Sequence, residues 1–332
     1  MDGICTLAND RIYDQLIALL NSIEVNAGKE IPVCVYPYDD NTERIAAEIA
    51  KRPNVELFKN REVIDRWDDF ARKMWDTHPT ARQRWSKAGS EDYYRFGTHR
   101  RFCAFESPFD RFVYMDGDTL LISPLDGIFQ RLHDNDRVVY DFQYKDLTHV
   151  YESTSAKLTE VFPRERLETE IFCSGFYASR AGLFTEERRN WLVEQLRAGE
   201  AEILYPMAPD QTLINYMMMR SGYSIVNLAL ELPREKRTGC CVTSPHFETR
   251  GNLLYDKGNR LVYLHYIGLS SSLFARLCSG KNLDFPYRDI FLHYRYLHEP
   301  EKRPFFNEIP RPPQSPTRNL ARRVMTKLGL TI

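Results

Sequence analysis

Apolar and polar residues alternate along the first sixty positions in blocks that predict strands and helices by turns. Three apolar runs, GICTLA, IPVCVYPY and VELFK, are short and bounded by polar residues, as buried strands are. Between them, RIYDQLIALLNSIEVNAG carries apolar residues at helical spacing and stops at Gly28, and TERIAAEIAKR has the same period. This order of elements predicts an α/β fold, with a mostly parallel central sheet flanked by helices.

The pattern continues as an α/β alternation after a longer helical stretch. Residues 62–107 are rich in Trp, Arg and charged side chains and are predicted to be mainly helical. Strands are predicted in RFVYM, RVVYDFQY, EIFCSGFYASR, YSIVNLAL and RLVYLHYIG, and helices in EERRNWLVEQLRA and PDQTLINYMMMRSG. We therefore expect residues 1–308 to form one α/β domain.

The C-terminal segment has a different character. A proline-rich linker, IPRPPQSP, covers 309–316, and TRNLARRVMTKLGLTI follows with Leu320, Val324 and Leu328 on one helical stripe. From Arg311 to Ile332 there are five basic residues and no acid. Two interpretations stay open: a helix that packs on its own domain or on a second copy in a homodimer, or a basic helix over 317–332 that rests on an anionic membrane.

Composition and charge narrow the setting of the protein. The 332 residues carry a formal net charge of −1, which argues against a nucleic-acid partner. We find neither a run of about 18 apolar residues nor a signal peptide, since MDGICTLAND has no apolar core. The seven cysteines are odd in number and scattered, as expected for thiols in a reducing compartment. We expect a cytoplasmic protein, with the adjacent pair Cys240 and Cys241 as apolar filler or a turn.

The stretch RFVYMDGDTLLISPL carries the clearest chemical signal. Asp116 and Asp118 follow a run that is apolar at every position, as in a strand buried on both faces. Residues two apart on an extended chain point to the same side, and Gly117 between them lets a ligand approach the backbone. Open α/β sheets bind ligands beyond the carboxyl ends of their strands. Two carboxylates there suit Mg²⁺ or Mn²⁺ holding a diphosphate.

A phosphatase of the haloacid dehalogenase type is the first alternative. These enzymes also end a strand with two aspartates, but they place Thr or Val four residues after the first. Here that position is Leu120, and Thr119 comes one residue early. A complete β-α-β-α-β unit also precedes the strand, whereas the phosphatase motif belongs to the first strand of its fold. Both differences disfavour the phosphatase.

Five motifs in order resemble one family of glycosyltransferases. They are CTLANDRIYDQLIALLNSI, YMDGDTLLISPLDGIF, FCSGFYAS, PDQTLIN and LHYIG, and they run from about Ile4 to Gly268. Together they resemble the glycogenin-like retaining family (glycosyltransferase family 8), whose members have the GT-A fold. Three features depart from the family: Tyr13 lies one residue further from the Asn-Asp pair than is usual, Cys173 replaces an Asn, and LSSSLFARL replaces the Lys-Pro-Trp segment that follows Gly268.

The resemblance implies a set of site residues. Metal ligands for Mn²⁺ (or Mg²⁺) would be Asp116, Asp118 and His265, and catalytic residues near the anomeric carbon would be Asp210 and Gln211. Two of these residues also have plainer interpretations: His265 as a structural histidine of the core, and Asp210 as a helix cap. Arg100 would contact diphosphate or sugar, with Arg95 and Arg101 as rivals. The nucleotide-sugar-binding residues implied are Thr6, Leu7, Ala8, Asn9, Asp10, Tyr13, Arg100, Asp116, Gly117, Asp118, Ser174, Gly175 and Gly268.

The same resemblance implies an activity. We expect metal-dependent transfer of a hexose from a nucleotide-sugar, a UDP-sugar, to a hydroxyl acceptor with retention of configuration. The nucleotide-binding half would cover about 1–125 and the acceptor-side half about 126–308. The alternative from another class is a non-catalytic nucleotide-sugar-binding or scaffold protein on the same fold. Turnover of a UDP-sugar distinguishes the two.

Overall fold

A computed structural model describes residues 1–307 of the chain, and the predicted linker and basic helix at 309–332 lie outside the described residues. The described part is built around one seven-stranded sheet with two smaller sheets beside it. Its strands are β1 (Asp2–Ala8), β2 (Val33–Pro37), β3 (Val55–Leu57), β4 (Arg111–Asp116), β5 (Thr119–Leu121), β6 (Arg137–Val139), β7 (Phe176–Arg180), β8 (Ile225–Asn227), β9 (Glu248–Arg250), β10 (Leu253–Asp256), β11 (Asn259–Arg260) and β12 (Tyr263–His265).

Helices cover both faces of the large sheet. They are α1 (Tyr13–Ala27), α2 (Glu43–Ile49), α3 (Arg61–Trp75), α4 (Ala81–Lys87), α5 (Asp126–Arg131), α6 (Lys157–Val161), α7 (Arg164–Leu167), α8 (Glu186–Arg197), α9 (Pro209–Arg220), α10 (Leu228–Glu231), α11 (Ser271–Cys278) and α12 (Arg288–Arg295). A 3₁₀ helix, Phe96–Glu106, leads into β4. Within residues 1–307, no helix combines the length and the apolar character needed to cross a bilayer.

The order of strands in the large sheet is β3-β2-β1-β4-β7-β6-β8. The first four are parallel to one another, β7 is antiparallel to both β4 and β6, and β6 is parallel to β8. The predicted mostly parallel sheet is therefore confirmed. Leu7 pairs in register with Asp116, so the carboxyl ends of β1 and β4 meet at one edge.

Alternate residues of β4 belong to two different hydrophobic clusters. Phe112 and Tyr114 pack with the tryptophans of α3, while Val113 and Met115 pack with Leu16 and other residues of α1. Because a strand turns successive side chains to opposite faces, both faces of β4 are buried, as its unbroken apolar sequence predicts.

Several predicted strands are shorter than expected, and two of them show the physical reason. The run YSIVNLAL is a strand only as far as Asn227, because the side chain of that residue accepts a hydrogen bond from the amide of Ala229 and starts α10. The run EIFCSGFYASR enters the sheet only at Phe176. Its first half instead pairs with α9, where the side-chain amide of Asn215 bonds both backbone groups of Phe172 at 3.1 and 2.9 Å.

Candidate functional site

Two carboxylates and one imidazole converge where β4 ends. Asp116 is the last residue of β4, and Asp118 lies in the turn that leads into β5. Because β12 pairs antiparallel with β5, His265 lies opposite Thr119 although it comes late in the chain. One possible ligand atom from each of these three side chains lies within 4.8 Å of the others. The structure thus brings together the three side chains that the sequence suggests as metal ligands.

Gly175 leaves room for this cluster. A Cβ atom at position 175 would overlap Cε1 of His265 and lie 3.1 Å from Oδ2 of Asp116. The carbonyl oxygen of Gly175 also accepts a hydrogen bond from the amide of Asp116 at 2.8 Å. Any side chain at this position would therefore push two of the three candidate ligands aside.

Each carboxylate of the cluster lies beside a different basic side chain. Asp118 forms an ion pair with His265, and Asp116 forms one with Arg101. Nε2 of His265 lies 3.3 Å from Oδ1 of Asp118. Burial opposes both charges, but their mutual attraction outweighs it, so the pKa of Asp118 is lowered and the pKa of His265 is raised well above its usual value. Burial raises the pKa of Asp116, although the guanidinium of Arg101 opposes the shift. A proton on the imidazole and a divalent cation would compete for this cluster.

Arg101 lies behind the cluster and joins Asp116 to Asp210. Its Nη2 lies 3.1 Å from Oδ1 of Asp116 and 3.0 Å from Oδ2 of Asp210. Its Nη1 donates to the carbonyl oxygen of Ser174 at 2.7 Å. The side chains of Arg101 and Asp210 are only 4% and 8% exposed and that of Asp116 is 21% exposed, so the three charges form a largely buried triad in which the guanidinium faces two acids.

Arg100, the favoured diphosphate contact, is turned away from this cluster. Its Nη2 and Nε lie 3.1 and 3.2 Å from Oδ2 of Asp68, and its Nη1 donates to the carbonyl oxygens of Pro37 and Tyr38. A 3₁₀ helix has about three residues per turn, so neighbouring side chains point about 120° apart. Of the two adjacent arginines, Arg101 is the one that the backbone directs at Asp116.

Helix α9 places both candidate catalytic residues against the segment before β7. Oδ2 of Asp210 accepts a hydrogen bond from the hydroxyl of Ser174 at 3.2 Å, and Oε1 of Gln211 accepts from the amide of Ser174 at 3.3 Å. The N-cap of α9 is Ala208, so Asp210 lies in the first turn and does not cap the helix. Burial opposes the charge of Asp210, but Arg101 and several smaller contributions from neighbouring groups together outweigh it, and the pKa of the carboxyl is lowered.

The polar residues after β1 make many of their bonds within the fold. Asn9 donates its side-chain amide to Asp39 at 2.8 Å. Both carboxylate oxygens of Asp10 accept backbone amides, from Arg44 at 3.1 Å and from Ile45 at 3.0 Å. The bonds of Asp10 tie the segment to α2. The side chains of Asn9 and Asp10 therefore fix the backbone shape of the loop after β1.

The end of β1 also lies close to the turn between the two acids. Leu7 and Ala8 end the strand, and Leu7 pairs with Asp116. A Cβ atom on Gly117 would overlap the side chain of Ile12 and lie 3.2 Å from the carbonyl oxygen of Leu7. The glycine therefore permits a close approach of two chain segments, and the approach is made by the protein itself.

Three other residues named from the resemblance border this region. Thr6 is fully buried in β1, and its hydroxyl has no hydrogen-bond partner among the described residues. Tyr13 begins α1 with the guanidinium of Arg44 at 4.1 Å from its ring centroid. Gly268 follows β12 with a φ of +82°, a conformation that favours glycine.

Asp141 is a buried acid beside the site that the sequence interpretation missed. Its carboxylate oxygens accept the amides of Gln143 at 2.8 Å and Cys173 at 3.1 Å. Burial raises the pKa of Asp141 to about 7. The only signal in the sequence is its position two residues after β6, which runs parallel to β4 and therefore ends at the same edge.

Comparison with known proteins found similar solved structures but no similar sequence family. No protein-family profile and no curated protein matches the chain. An apo structure of the bifunctional glycosyltransferase WbbM superposes with a TM-score of 0.54 and 16% identity over 91% of this chain, which spans about half (51%) of that chain. The galactosyltransferase LgtC, in complex with donor and acceptor sugar analogues, gives a TM-score of 0.50 and 16% identity over 81% of this chain and 87% of its own. An active-site mutant of LgtC gives a TM-score of 0.50 at 15% identity, covering 84% and 95%.

This chain has the GT-A fold. Identities of this size show the fold alone, so the closer resemblance to family 8 stays a prediction. Within the GT-A fold, the cluster of Asp116, Asp118 and His265 lies at the carboxyl edge of the parallel strands. That edge is where open α/β sheets bind their ligands.

Proposed function

We propose that the protein is a divalent-metal-dependent glycosyltransferase that moves a hexose from a UDP-sugar to a hydroxyl acceptor. The observation that carries the proposal is the meeting of Asp116, Asp118 and His265 at the ligand-binding edge of a GT-A sheet. Arg101 forms ion pairs with both Asp116 and Asp210, so it fixes the position of Asp210 relative to the same cluster. A nucleoside diphosphate leaving group needs positive charge at this point.

The donor atoms fit Mn²⁺ or Mg²⁺. Both ions bind carboxylate oxygens, and a neutral imidazole favours Mn²⁺. Asp116, Asp118 and His265 would hold the ion, with Gly175 leaving the space they need. When bound, the cation neutralises the charge that grows on the diphosphate as the glycosidic bond breaks.

The end of β1 and the segment before β7 would bind the donor from two sides. Thr6, Leu7 and Ala8 end beside Asp116, which supports a nucleotide lying along the segment from Asn9 to Tyr13. Ser174 and Gly175 border the other side, and the amide of Ser174 is held by Gln211. The backbone there is kept in place by α9, so the sugar would meet a rigid wall.

Asp210 and Gln211 would act on the sugar itself. Arg101 and the other neighbouring groups together keep the carboxylate of Asp210 ionised, so it can stabilise an oxocarbenium-like centre. We propose retention, with the leaving diphosphate taking the acceptor proton on the same face of the sugar. A covalent adduct trapped on Asp210 would instead identify a double displacement with Asp210 as the nucleophile.

The test is release of UDP from a panel of UDP-sugars in the presence of Mn²⁺, with and without hydroxyl acceptors. We expect turnover for one sugar, loss of turnover to background in Asp118→Ala, and unchanged turnover in Asp126→Ala. Asp126 is the matched control because it is an exposed acid eight residues further along the chain. Full activity of Asp118→Ala would overturn the metal assignment. Binding of UDP-sugars without any release would favour a nucleotide-sugar-binding scaffold protein instead.

We also propose, from sequence alone, that the basic segment 317–332 contacts an anionic membrane surface. Full-length protein is expected to float with liposomes that contain anionic lipid, and Arg322→Glu with Arg323→Glu should abolish flotation. Equal recovery of the variant and the wild type would overturn this contact.

A further inference from the structure

Cys240 and Cys241 lie beside the candidate metal site but have no part in the chemistry above. They are adjacent in the chain, and their Sγ atoms lie 3.7 Å apart. Consecutive side chains on an extended strand point to opposite faces, so the backbone here must bend to bring both thiols together. The segment forms only an isolated bridge at Cys241 and is not part of a regular strand.

The segment from Cys240 to Val242 holds the backbone of a candidate metal ligand, His265. The amide of His265 donates to the carbonyl oxygen of Cys240 at 2.7 Å, and the carbonyl oxygen of His265 accepts from the amide of Val242 at 2.9 Å. The carbonyl of Cys240 belongs to the peptide unit that links the two cysteines. A change in the geometry of that peptide therefore acts directly on the strand position of His265.

The two thiols differ in exposure. Cys240 is only 6% exposed, whereas Cys241 is partly exposed. A small oxidant in solution would thus meet Cys241 first, with Cys240 already within reach as the second thiol. An accessible thiol next to a resolving one is the arrangement that oxidation to a disulfide requires.

We propose that Cys240 and Cys241 form a redox-active vicinal dithiol, which a peroxide converts to a disulfide that weakens metal binding at Asp116, Asp118 and His265. The sulfur of Cys241 takes one peroxide oxygen to give a sulfenic acid and one water. The sulfur of Cys240 then attacks that sulfur, the S–S bond forms, and a second water leaves. The dithiol loses two electrons and the peroxide gains them. The effect on metal binding rests on the proposed function; the oxidation itself does not.

Closure of the disulfide must strain the peptide between the two residues. An S–S bond is about 2.05 Å long, and the Cα atoms of an ordinary disulfide are about 4.4–6.8 Å apart. Adjacent Cα atoms are only about 3.8 Å apart across a trans peptide. The ring can close only if the linking peptide twists, and strained disulfides of this kind are readily reduced. The modification is therefore reversible and is transmitted to His265 through the carbonyl of Cys240.

The first experiment maps the bond. Full-length reduced protein is treated with hydrogen peroxide, alkylated with N-ethylmaleimide and digested with trypsin. The tryptic peptide Thr238–Arg250 contains both cysteines and no methionine, so no methionine oxidation obscures its mass. We expect this peptide to be two hydrogen atoms lighter and unalkylated after peroxide, and doubly alkylated after dithiothreitol. Recovery of the doubly alkylated peptide after peroxide, or of sulfinic acids in place of the disulfide, would overturn the proposal.

The second experiment measures Mn²⁺ affinity by calorimetry after the peroxide has been removed. We expect oxidised protein to bind Mn²⁺ about tenfold more weakly, as when an outer contact of a metal ligand is lost, with full recovery on reduction. Cys241→Ala and Cys241→Ser should be insensitive to peroxide. Cys278→Ala, which removes a partly exposed thiol at the end of α11, should respond like the wild type.

The two readouts separate the possible failures. Equal Mn²⁺ affinity in the oxidised and reduced proteins, or no Mn²⁺ binding in either, would overturn the coupling to His265 whatever the peptide map shows. Failure of sugar transfer alone would count against the proposed function and would leave both the peptide map and the Mn²⁺ affinities as they are.

Discussion

The metal corner, which comprises Asp116, Asp118 and His265, and the nucleotide loop at residues 6–13 share one edge of the sheet but use their acids differently. In the nucleotide loop, both oxygens of Asp10 accept backbone amides, so the carboxylate serves the fold. In the metal corner, Asp118 faces the imidazole of His265, and Asp116 faces the guanidinium of Arg101. Carboxylates that lie close together and face ionisable side chains, and not backbone amides, mark the place that a bound cation would stabilise.

The largest effect is expected from breaking the triad behind the metal corner. Arg101→Leu leaves the buried Asp210 and the partly buried Asp116 without their guanidinium, and removal of one partner from a buried ion pair costs about 3–5 kcal/mol of unfolding free energy. Urea denaturation measures the loss. Arg66→Leu is the control, because Arg66 makes an ion pair with Glu106 at the surface and should lose no more than about 1 kcal/mol. Equal losses in the two variants would show that the triad adds no more to stability than an ion pair at the surface does.

A pair of matched substitutions tests the comparison itself. Asp118→Asn should weaken Mn²⁺ binding at least about 100-fold, more than the loss of an outer contact would. Asp10→Asn should leave Mn²⁺ affinity unchanged but lower the free energy of unfolding by about 1 kcal/mol, because one of its amide contacts is lost. Calorimetric titration and urea denaturation of both variants give the answer. The reverse pattern would mean that the two acids have exchanged functions.

Both the stability and the Mn²⁺ affinity of the metal corner should depend on pH. The folded pKa of His265 is raised, so its ion pair with Asp118 adds stability that is fully present below the unfolded pKa of about 6.5 and is lost as pH rises through the folded value. The pKa of Asp118 is lowered, so its own contribution is lost as pH falls through the folded value. Metal binding needs the neutral imidazole and therefore strengthens as pH rises, by up to about tenfold per pH unit. Mn²⁺ titrations from about pH 6 to about pH 9 test this, and an affinity that does not change with pH would contradict it.

Much of this fold could be predicted because its signals are local. The first three strands and two helices carry unbroken apolar runs or a helical period, and the structure has them within a few residues of the predicted bounds. The resemblance likewise placed His265 beside Asp116 and Asp118, although β12 pairs with β5 from more than a hundred residues away. Pairing of strands distant in the chain leaves no periodic signal, so only the motif LHYIG carried that prediction.

The features that could not be predicted depend on where side chains and strand ends point in the fold, and not on their positions along the chain. The choice between Arg100 and Arg101 is decided by a 3₁₀ helix, which turns adjacent side chains apart, and a 3₁₀ segment has no distinct sequence period. Asp141 was missed because its strand, β6, is only three residues long and gives no sign that its end reaches the site. The strand assigned to Leu228 was wrong because a single capping side chain, Asn227, overrode an apolar run.

The smallest effect is expected from one methyl group in the metal corner. Gly175→Ala puts a Cβ against Cε1 of His265 and Oδ2 of Asp116, so we expect Mn²⁺ affinity to fall about tenfold, the size of a displaced ligand contact. Gly127→Ala is the matched control, because its new Cβ meets only the flexible end of Arg131, at 3.9 Å.

Gly117→Ala makes the comparison sharper, since its Cβ would press on Ile12 in the nucleotide loop and should weaken UDP binding more than Mn²⁺ binding. Titrations of the three variants with Mn²⁺ and with UDP separate these outcomes. If Gly175→Ala and Gly127→Ala bound Mn²⁺ equally well, the metal corner would have enough freedom to absorb the methyl group, and His265 would not be held where a ligand must be.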